Sequence, residues 1–194
     1  MIQIKQFCFL AALLLFAVSA RADYQLDNDS SDFNFISVKK NKIAEVHTFG
    51  QLSGVINGNG DASVTINLVT VNTHIEIRDE RLRALLFETN TFPTAVVSTR
   101  LDMAKLKVLQ SGDAIVMPVS LRINLHGKTK VLDANLRVVR LSDQSLLVTT
   151  VKPILLNSVD FDLSEGIQKL MEIAKLPSIS TAVPVTFSLL FKSQ

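Results

Sequence analysis

Aliphatic and polar residues alternate along most of this 194-residue chain. The alternation has a period of two, which on a β-strand places the aliphatic side chains on one face and the polar side chains on the other. The clearest rows of this kind lie at residues 64–68, 117–125 and 132–138. They predict amphipathic strands and therefore a mainly β protein.

Residues 126–130, which separate two of these rows, form a short connection that contains Gly127 and predicts a β-hairpin. Further alternating rows lie at residues 95–103, 183–191, 33–35 and 146–150. Some seven or eight strands joined by short turns favour a closed sheet, because closure removes the exposed edges. The predicted fold is an eight-stranded antiparallel β-barrel, which either fills with side chains or encloses one small ligand.

Two segments have a helical period instead. Asp79 is predicted to cap a short helix over residues 80–88, and Ser164 to open a second helix over residues 165–176, which Pro177 ends. The apolar stripe of the first helix contains Leu82, Leu85 and Leu86, and that of the second contains Ile167, Leu170, Met171 and Ala174. Because each helix has a single stripe, we expect both to lie on the outside or at an open end of the barrel.

The first 22 residues have the pattern of a secretory signal peptide. Lys5 precedes an unbroken apolar run at residues 7–18, which is too short to span a bilayer, and Ala20 and Ala22 form a small-x-small cleavage pattern. No later run is long and apolar enough for a membrane helix. We therefore expect a secreted protein whose single mature domain covers residues 23–194.

Cysteine and charge exclude several functions for this predicted domain. The only cysteine, Cys8, lies in the predicted signal peptide, so the domain has no thiol for catalysis, metal binding or a disulfide. Lys5 and Arg21 lie in the same segment and account for the net charge of +2, which leaves 18 basic and 18 acidic residues. A neutral domain gives no electrostatic reason to expect a nucleic acid or an anionic membrane as partner.

Several short motifs follow one another along the chain. They are Tyr24-x-Leu26-Asp27, Phe33-x-Phe35, His47-Thr48-Phe49 with Gly54, Asn72-Thr73, Ile77-Arg78-Asp79-Glu80-Arg81-Leu82, Phe87, Phe92-Pro93, and Leu121-x-Ile123-x-Leu125-His126-Gly127-x-Thr129-Lys130. Their order and spacing resemble the YceI-like family of periplasmic polyisoprenoid-binding proteins over nearly the whole predicted mature chain. The resemblance implies a lipocalin-like barrel of eight strands that holds an amphipathic molecule with a long isoprenoid tail, such as an isoprenoid quinone. The C-terminal third, with the helix at Ser164 and the strand at 183–191, departs from the usual family pattern.

The predicted inward-facing groups are the candidate ligand contacts. They are Phe33, Phe35, Val64, Ile66, Val97, Leu101, Val119, Leu121, Leu136 and Phe187. Burying one methylene group of a ligand contributes about 0.8 kcal/mol to the free energy of binding. A barrel interior lined by aliphatic side chains can therefore hold a prenyl chain without hydrogen bonds. The alternation alone does not separate such an open interior from a dry, filled core, because both need the same inward faces.

Arg78 is the candidate contact for a ligand head group. At the predicted strand-to-helix junction it is expected to pair with a carboxylate or a backbone carbonyl, and this structural role is favoured. An arginine at the mouth of a barrel can also donate to a quinone carbonyl, so the functional role stays open.

No catalytic or metal site is predicted. His47, His74 and His126 do not have the spacing of known zinc motifs, and no serine lies in a G-x-S-x-G elbow. The leading hypothesis is a non-catalytic periplasmic carrier or storage protein for a long-tailed lipid, with no cofactor other than such a ligand. The alternative is an envelope stress or interaction protein with a solidly packed barrel, whose helix at 164–176 binds a protein partner. Homodimer formation is left open.

Overall fold

The computed structural model describes residues 22–142 and 144–194. Cys8 and all but the last residue of the predicted signal peptide lie outside the described residues. The strands of the described part are β1 (Ala22–Lys39), β2 (Ile43–Phe49), β3 (Leu52–Asn57), β4 (Asp61–Asn67), β5 (Val71–Asn72), β6 (Thr94–Arg100), β7 (Ala114–Leu125), β8 (Lys128–Arg140), β9 (Leu146–Thr150), β10 (Ile154–Asn157) and β11 (Ala182–Ser193).

Eight of these strands in the described part of the chain close into an antiparallel barrel, in the order β1, β3, β4, β6, β7, β8, β9 and β11. The pairing of β11 with β1 closes the ring. The predicted eight-stranded antiparallel barrel is therefore confirmed. Closure leaves no edge strand in this ring of the described residues.

Strands β1 and β11 are long and change partners along their length. Residues 22–25 of β1 pair with β3, whereas residues 34–39 pair with β2. Likewise residues 188–191 of β11 pair with β9, whereas residues 182–185 pair with β10. The barrel therefore has a far half, where the ring is complete, and a mouth half, where β2 and β10 flank the two long strands and β5 pairs with β2.

The hairpin predicted around Gly127 is present. Strands β7 and β8 pair from Leu125 and Lys128 at the turn to Ala114 and Val139 at the other end. Gly127 has a φ of 73°, a left-handed conformation that glycine adopts without strain. A Cβ atom there would also lie 3.1 Å from the ring of Phe92, so both the backbone conformation and the packing of this turn favour glycine.

Helix α1 (Glu76–Arg81) continues directly into a π-helical turn at Leu82–Leu86. The prediction that Asp79 caps this helix is wrong, because the helix begins three residues earlier. The Asp79 carboxylate instead accepts hydrogen bonds from the backbone N–H and the hydroxyl of Thr73. Asp79 thus fixes the preceding loop rather than the helix N-terminus.

Helix α2 (Met103–Lys107) was not predicted from the sequence, being too short for a periodic signal. Asp102 caps it by accepting from the backbone N–H groups of Ala104 and Lys105. Its Leu106 is fully buried, and the buried Arg140 of β8 donates to the Leu106 carbonyl at 3.0 Å. This helix therefore closes the far end of the barrel.

Helix α3 (Ser164–Ala174) corresponds to the second predicted helix. Ser164 is its first residue rather than its cap, and Leu163 at the cap position makes no side-chain capping bond. Lys175 ends the helix in a left-handed conformation, ahead of Pro177. The preceding helical turn, Ser158–Phe161, is tied to β8 by the ion pair of Lys130 with Asp160.

Candidate ligand-binding site

A cavity of about 470 Å³ lies in the mouth half of the barrel. Strand residues such as Phe35, Ile66 and Leu121 form one side of it. The π-helical turn and α3 form another side, with residues that include Leu86 and Ile167. Both predicted stripes therefore contribute to the wall at the open end of the barrel, one of the two locations predicted for them, although Leu85 and Met171 do not line the cavity.

A second, smaller cavity of about 60 Å³ lies deeper in the barrel. It shares five wall residues with the larger one: Phe33, Ile66, Val97, Leu121 and Phe187. Leu101 and Leu136 belong to its further wall. The two spaces are thus separated by a few side chains and follow one line through the barrel interior.

Nine of the ten predicted apolar contacts border these spaces. Phe33, Ile66, Val97, Leu121 and Phe187 line both, Phe35 lines the larger, and Val64, Leu101 and Leu136 line the smaller. Val119 is buried but borders neither. As ligand contacts all of these residues remain predictions.

Arg78 lies at the wall of the larger cavity, where it holds α1 against β2. Its Nη1 is 2.9 Å from Glu45 Oε2, and its Nη2 donates to the carbonyl of Thr73 at 2.6 Å. The structural role favoured from the sequence is therefore present. Its Nε is buried without a partner within the described residues.

Glu45 was missed by the sequence reasoning and joins two cations at the cavity mouth. Its Oε2 is 2.6 Å from Lys39 Nζ and 2.9 Å from Arg78 Nη1. The hydrogen bond from Lys39 and the Arg78 charge hold the pKa of the Glu45 carboxyl below its usual value, although burial opposes this. The carboxylate is therefore ionised at neutral pH and fixes both cations.

His47 also lines the cavity, a position not predicted from the sequence, where this histidine was weighed only as a metal ligand. Its side chain is only 3 % exposed, and its Nε2 lies 2.8 Å from the hydroxyl oxygen of Ser37. Burial, helped by the charge of Arg78, lowers the pKa of His47 below its ordinary value, so the ring is neutral at neutral pH. The alternation of Glu45, His47 and Phe49 was the available signal, since it places all three on the inner face of β2.

Aromatic rings cluster next to His47. Phe35 lies 5.1 Å from the His47 ring and 5.2 Å from that of Phe49, measured between centroids. Phe49 also contacts Phe33 and Phe87 at 6.0 and 5.9 Å. These separations are typical of favourable ring pairs, and the cluster forms a rigid apolar wall below the charged mouth.

The other two histidines do not line the cavity. His74 is exposed, whereas His126 Nδ1 donates to the carbonyl of Phe161 at 3.2 Å, and the His126 ring lies 4.5 Å from that of Phe92 with the two planes tilted by 56°. Within residues 22–142 and 144–194, no group of three or more His, Cys, Asp or Glu residues is placed to hold a metal ion. In the same part of the chain, no helix combines the length and apolar character that crossing a bilayer requires.

A model of the YceI-like domain matches residues 24–191. The chain is a member of the YceI-like family. This YceI-like chain is also similar to a solved polyisoprenoid-binding domain from Saccharophagus degradans that is implicated in plant cell wall breakdown, with 39% identity and a TM-score of 0.88. That similarity covers 90% of this chain and 100% of the other.

Two further solved structures are similar in fold. BcnA of Burkholderia cenocepacia has 14% identity and a TM-score of 0.67, over 85% of this YceI-like chain and 98% of BcnA. The YceI protein of Campylobacter jejuni has 14% identity and a TM-score of 0.55, over 76% of this chain and 84% of the other. No curated protein matches the chain.

Proposed function

We propose that this YceI-like protein is a periplasmic, non-catalytic carrier that holds a long-tailed amphipathic lipid inside its barrel. A polyisoprenoid or an isoprenoid quinone is the expected ligand class. The observation that carries the proposal is the apolar cavity of about 470 Å³, which continues towards a second space deeper in the barrel. A barrel packed solid, as the alternative hypothesis requires, would have no such space.

The similarity to the Saccharophagus degradans domain supports the ligand class, because that protein is described as polyisoprenoid-binding. The energetics agree, since each methylene moved from water into the cavity contributes about 0.8 kcal/mol. A tail of about fifteen buried carbons would contribute on the order of 12 kcal/mol before the cost of ordering it. Such a ligand needs no reacting group in the protein, which agrees with a binding role rather than an enzymatic one.

The signal-peptide pattern of residues 1–22 supports the periplasmic location. The test is to express the full chain in a Gram-negative host, fractionate the cells and measure the intact mass. We expect a periplasmic protein that begins at or near Asp23. A full-length protein that stays in the cytoplasm would contradict this part of the proposal.

The ligand is tested on the same material. Native mass spectrometry after gentle purification should show a mass above that of the polypeptide, and organic extraction should release an isoprenoid lipid of matching mass. If only the polypeptide mass appears, and hydrophobic fluorescent probes also fail to bind, the carrier proposal is wrong.

A further inference from the structure

The charged residues that line the larger cavity all lie at its mouth. They are Lys39, Glu45, Arg78 and Arg81, called here the rim cluster. Three are cations and one is an acid, so the cluster has a formal charge of +2. The remaining wall of the cavity is apolar or neutral.

Hydrogen-bond donors exceed acceptors in the rim cluster. Lys39 has three N–H donors and each arginine has five, whereas Glu45 supplies the acceptor oxygens. One oxygen, Glu45 Oε2, already receives both Lys39 and Arg78. Within residues 22–142 and 144–194, Arg81 has no carboxylate at ion-pair distance. The mouth is therefore suited to a group that accepts hydrogen bonds.

Polarity falls steadily from the mouth into the barrel. Along the inner face of β1, Lys39 and Ser37 come first, followed by Phe35 and Phe33. Beyond Phe33 the wall continues into the smaller, apolar space. An amphipathic molecule therefore minimises its desolvation cost when its tail lies deep and its polar group stays at the rim cluster.

We infer that the cargo enters tail first and that the rim cluster binds an acceptor oxygen of its head group. This oxygen is the carbonyl of a quinone-type ring or the oxyanion of a phosphate, and Arg81 and Lys39 donate to it. The inference rests on the proposed carrier function and adds the chemistry and orientation of the head group.

The experiment compares three probes with the same geranylgeranyl-type carbon skeleton. They are the headless hydrocarbon phytane, a menaquinone with a geranylgeranyl side chain, and geranylgeranyl phosphate. Each competes with a fluorescent lipid for the delipidated wild-type protein. We expect the menaquinone and the phosphate, called here the headed probes, to bind at least about tenfold more tightly than phytane. A hydrogen bond to a charged group contributes enough free energy for such a difference.

The variants Arg81→Gln and Lys39→Met locate the effect. Both should reduce the ratio of the affinity for the two probes with a head group to the affinity for phytane to about twofold or less. Arg83→Gln and Lys42→Met make the same chemical changes at residues that do not line the cavity, and they should keep the wild-type preference. Since Arg81 has no ion-pair partner in the described part of the chain, its variant is expected to fold normally.

The dependence of binding on salt concentration distinguishes a phosphate head group from a quinone head group. Raising the salt from about 0.05 to 0.5 M should weaken binding of the phosphate but not of the quinone. Equal wild-type affinity for headed and headless probes, or a preference that survives in both variants, would overturn the inference and leave the carrier function intact. Failure of all three probes to bind would overturn the carrier function itself and the inference with it.

Discussion

Gly166 of α3 lies so close to Leu85 that a Cβ atom at position 166 would overlap the Leu85 carbonyl oxygen. The same Cβ atom would also press on the Cα of Leu86, a residue of the cavity wall. The two helical segments that wall the cavity are therefore in direct backbone contact. Only glycine allows this approach.

Gly166→Ala should accordingly push α3 away from the π-helical turn. We expect the free energy of unfolding to fall by about 1–3 kcal/mol, as for other overpacked sites, measured by urea titration. Gly50→Ala is the matched control, because the nearest atoms to its Cβ would be 3.7 Å away or more. That variant should stay within about 0.5 kcal/mol of wild type, and equal stability of the two variants would contradict the prediction.

The position of the cavity predicts opposite effects of one substitution at two valines. Val97 borders both spaces, so the larger side chain of Val97→Phe should occupy them and leave the free energy of unfolding nearly unchanged. The same variant should weaken binding of a prenyl lipid about tenfold or more. Val119 is buried beside neither space, so Val119→Phe should instead lower the free energy of unfolding by about 1–3 kcal/mol. Thermal unfolding measures the stability of both variants, and competition with a fluorescent lipid measures their affinity for the ligand. If Val97→Phe is the more destabilising variant, the interior at Val97 is filled rather than hollow.

His47 predicts how stability depends on pH. Burial and Arg78 lower its folded-state pKa, so the unfolded chain takes up a proton first, near its usual pKa of about 6.5. Stability should therefore fall as the pH drops below about 6.5, and this loss should end once His47 titrates in the folded state. Urea titrations from about pH 7.5 to 5 should show a shallower loss for His47→Gln than for wild type. An unchanged slope in His47→Gln would refute the assignment.

Two glycines with a positive φ, Gly127 and Gly112, make it possible to separate the cost of side-chain packing from the cost of backbone strain. Gly127 and Gly112 both have a positive φ, 73° and 89°, so alanine should cost about 1–2 kcal/mol at either site. A Cβ at Gly127 also meets the Phe92 ring at 3.1 Å, whereas one at Gly112 meets nothing within 4 Å. Gly127→Ala should therefore be the more destabilising of the two in thermal unfolding. Equal losses would show that the Phe92 ring yields without cost.

Seven of the eight barrel strands, all but β3, contain a row predicted from the sequence, because each of them buries one face. The short strands β2, β5 and β10 at the mouth were not predicted. The rows at residues 117–125 and 132–138 became β7 and β8, and Gly127 marked their turn. Helix boundaries were less predictable, as Asp79 shows: the same carboxylate can satisfy a helix N-terminus or the loop before it. Only the position of Thr73 decides between these, and that is a tertiary contact.

The cavity itself could not be predicted from the alternation. Val97 and Val119 have the same pattern on neighbouring strands, yet one borders open space and the other is packed. What separates them is the distance between opposite walls, which depends on the partner change of β1 and on the placement of α3. Likewise the rim cluster joins Lys39, Glu45 and Arg81 from separate elements, and no local spacing relates them.

The helical wall of the cavity has a mechanical consequence. Because α1, the π-helical turn and α3 satisfy most of their backbone hydrogen bonds internally, they can move apart without breaking any bond of the barrel ladder. Separating the π-helical turn from α3 would cost their backbone contact at Gly166 and side-chain contacts, but no hydrogen bond of the ladder. The far end of the barrel, in contrast, is closed by Leu106 and Arg140. A cargo of larger diameter therefore has to be accommodated at the helical wall, and a longer tail is limited by the closed far end.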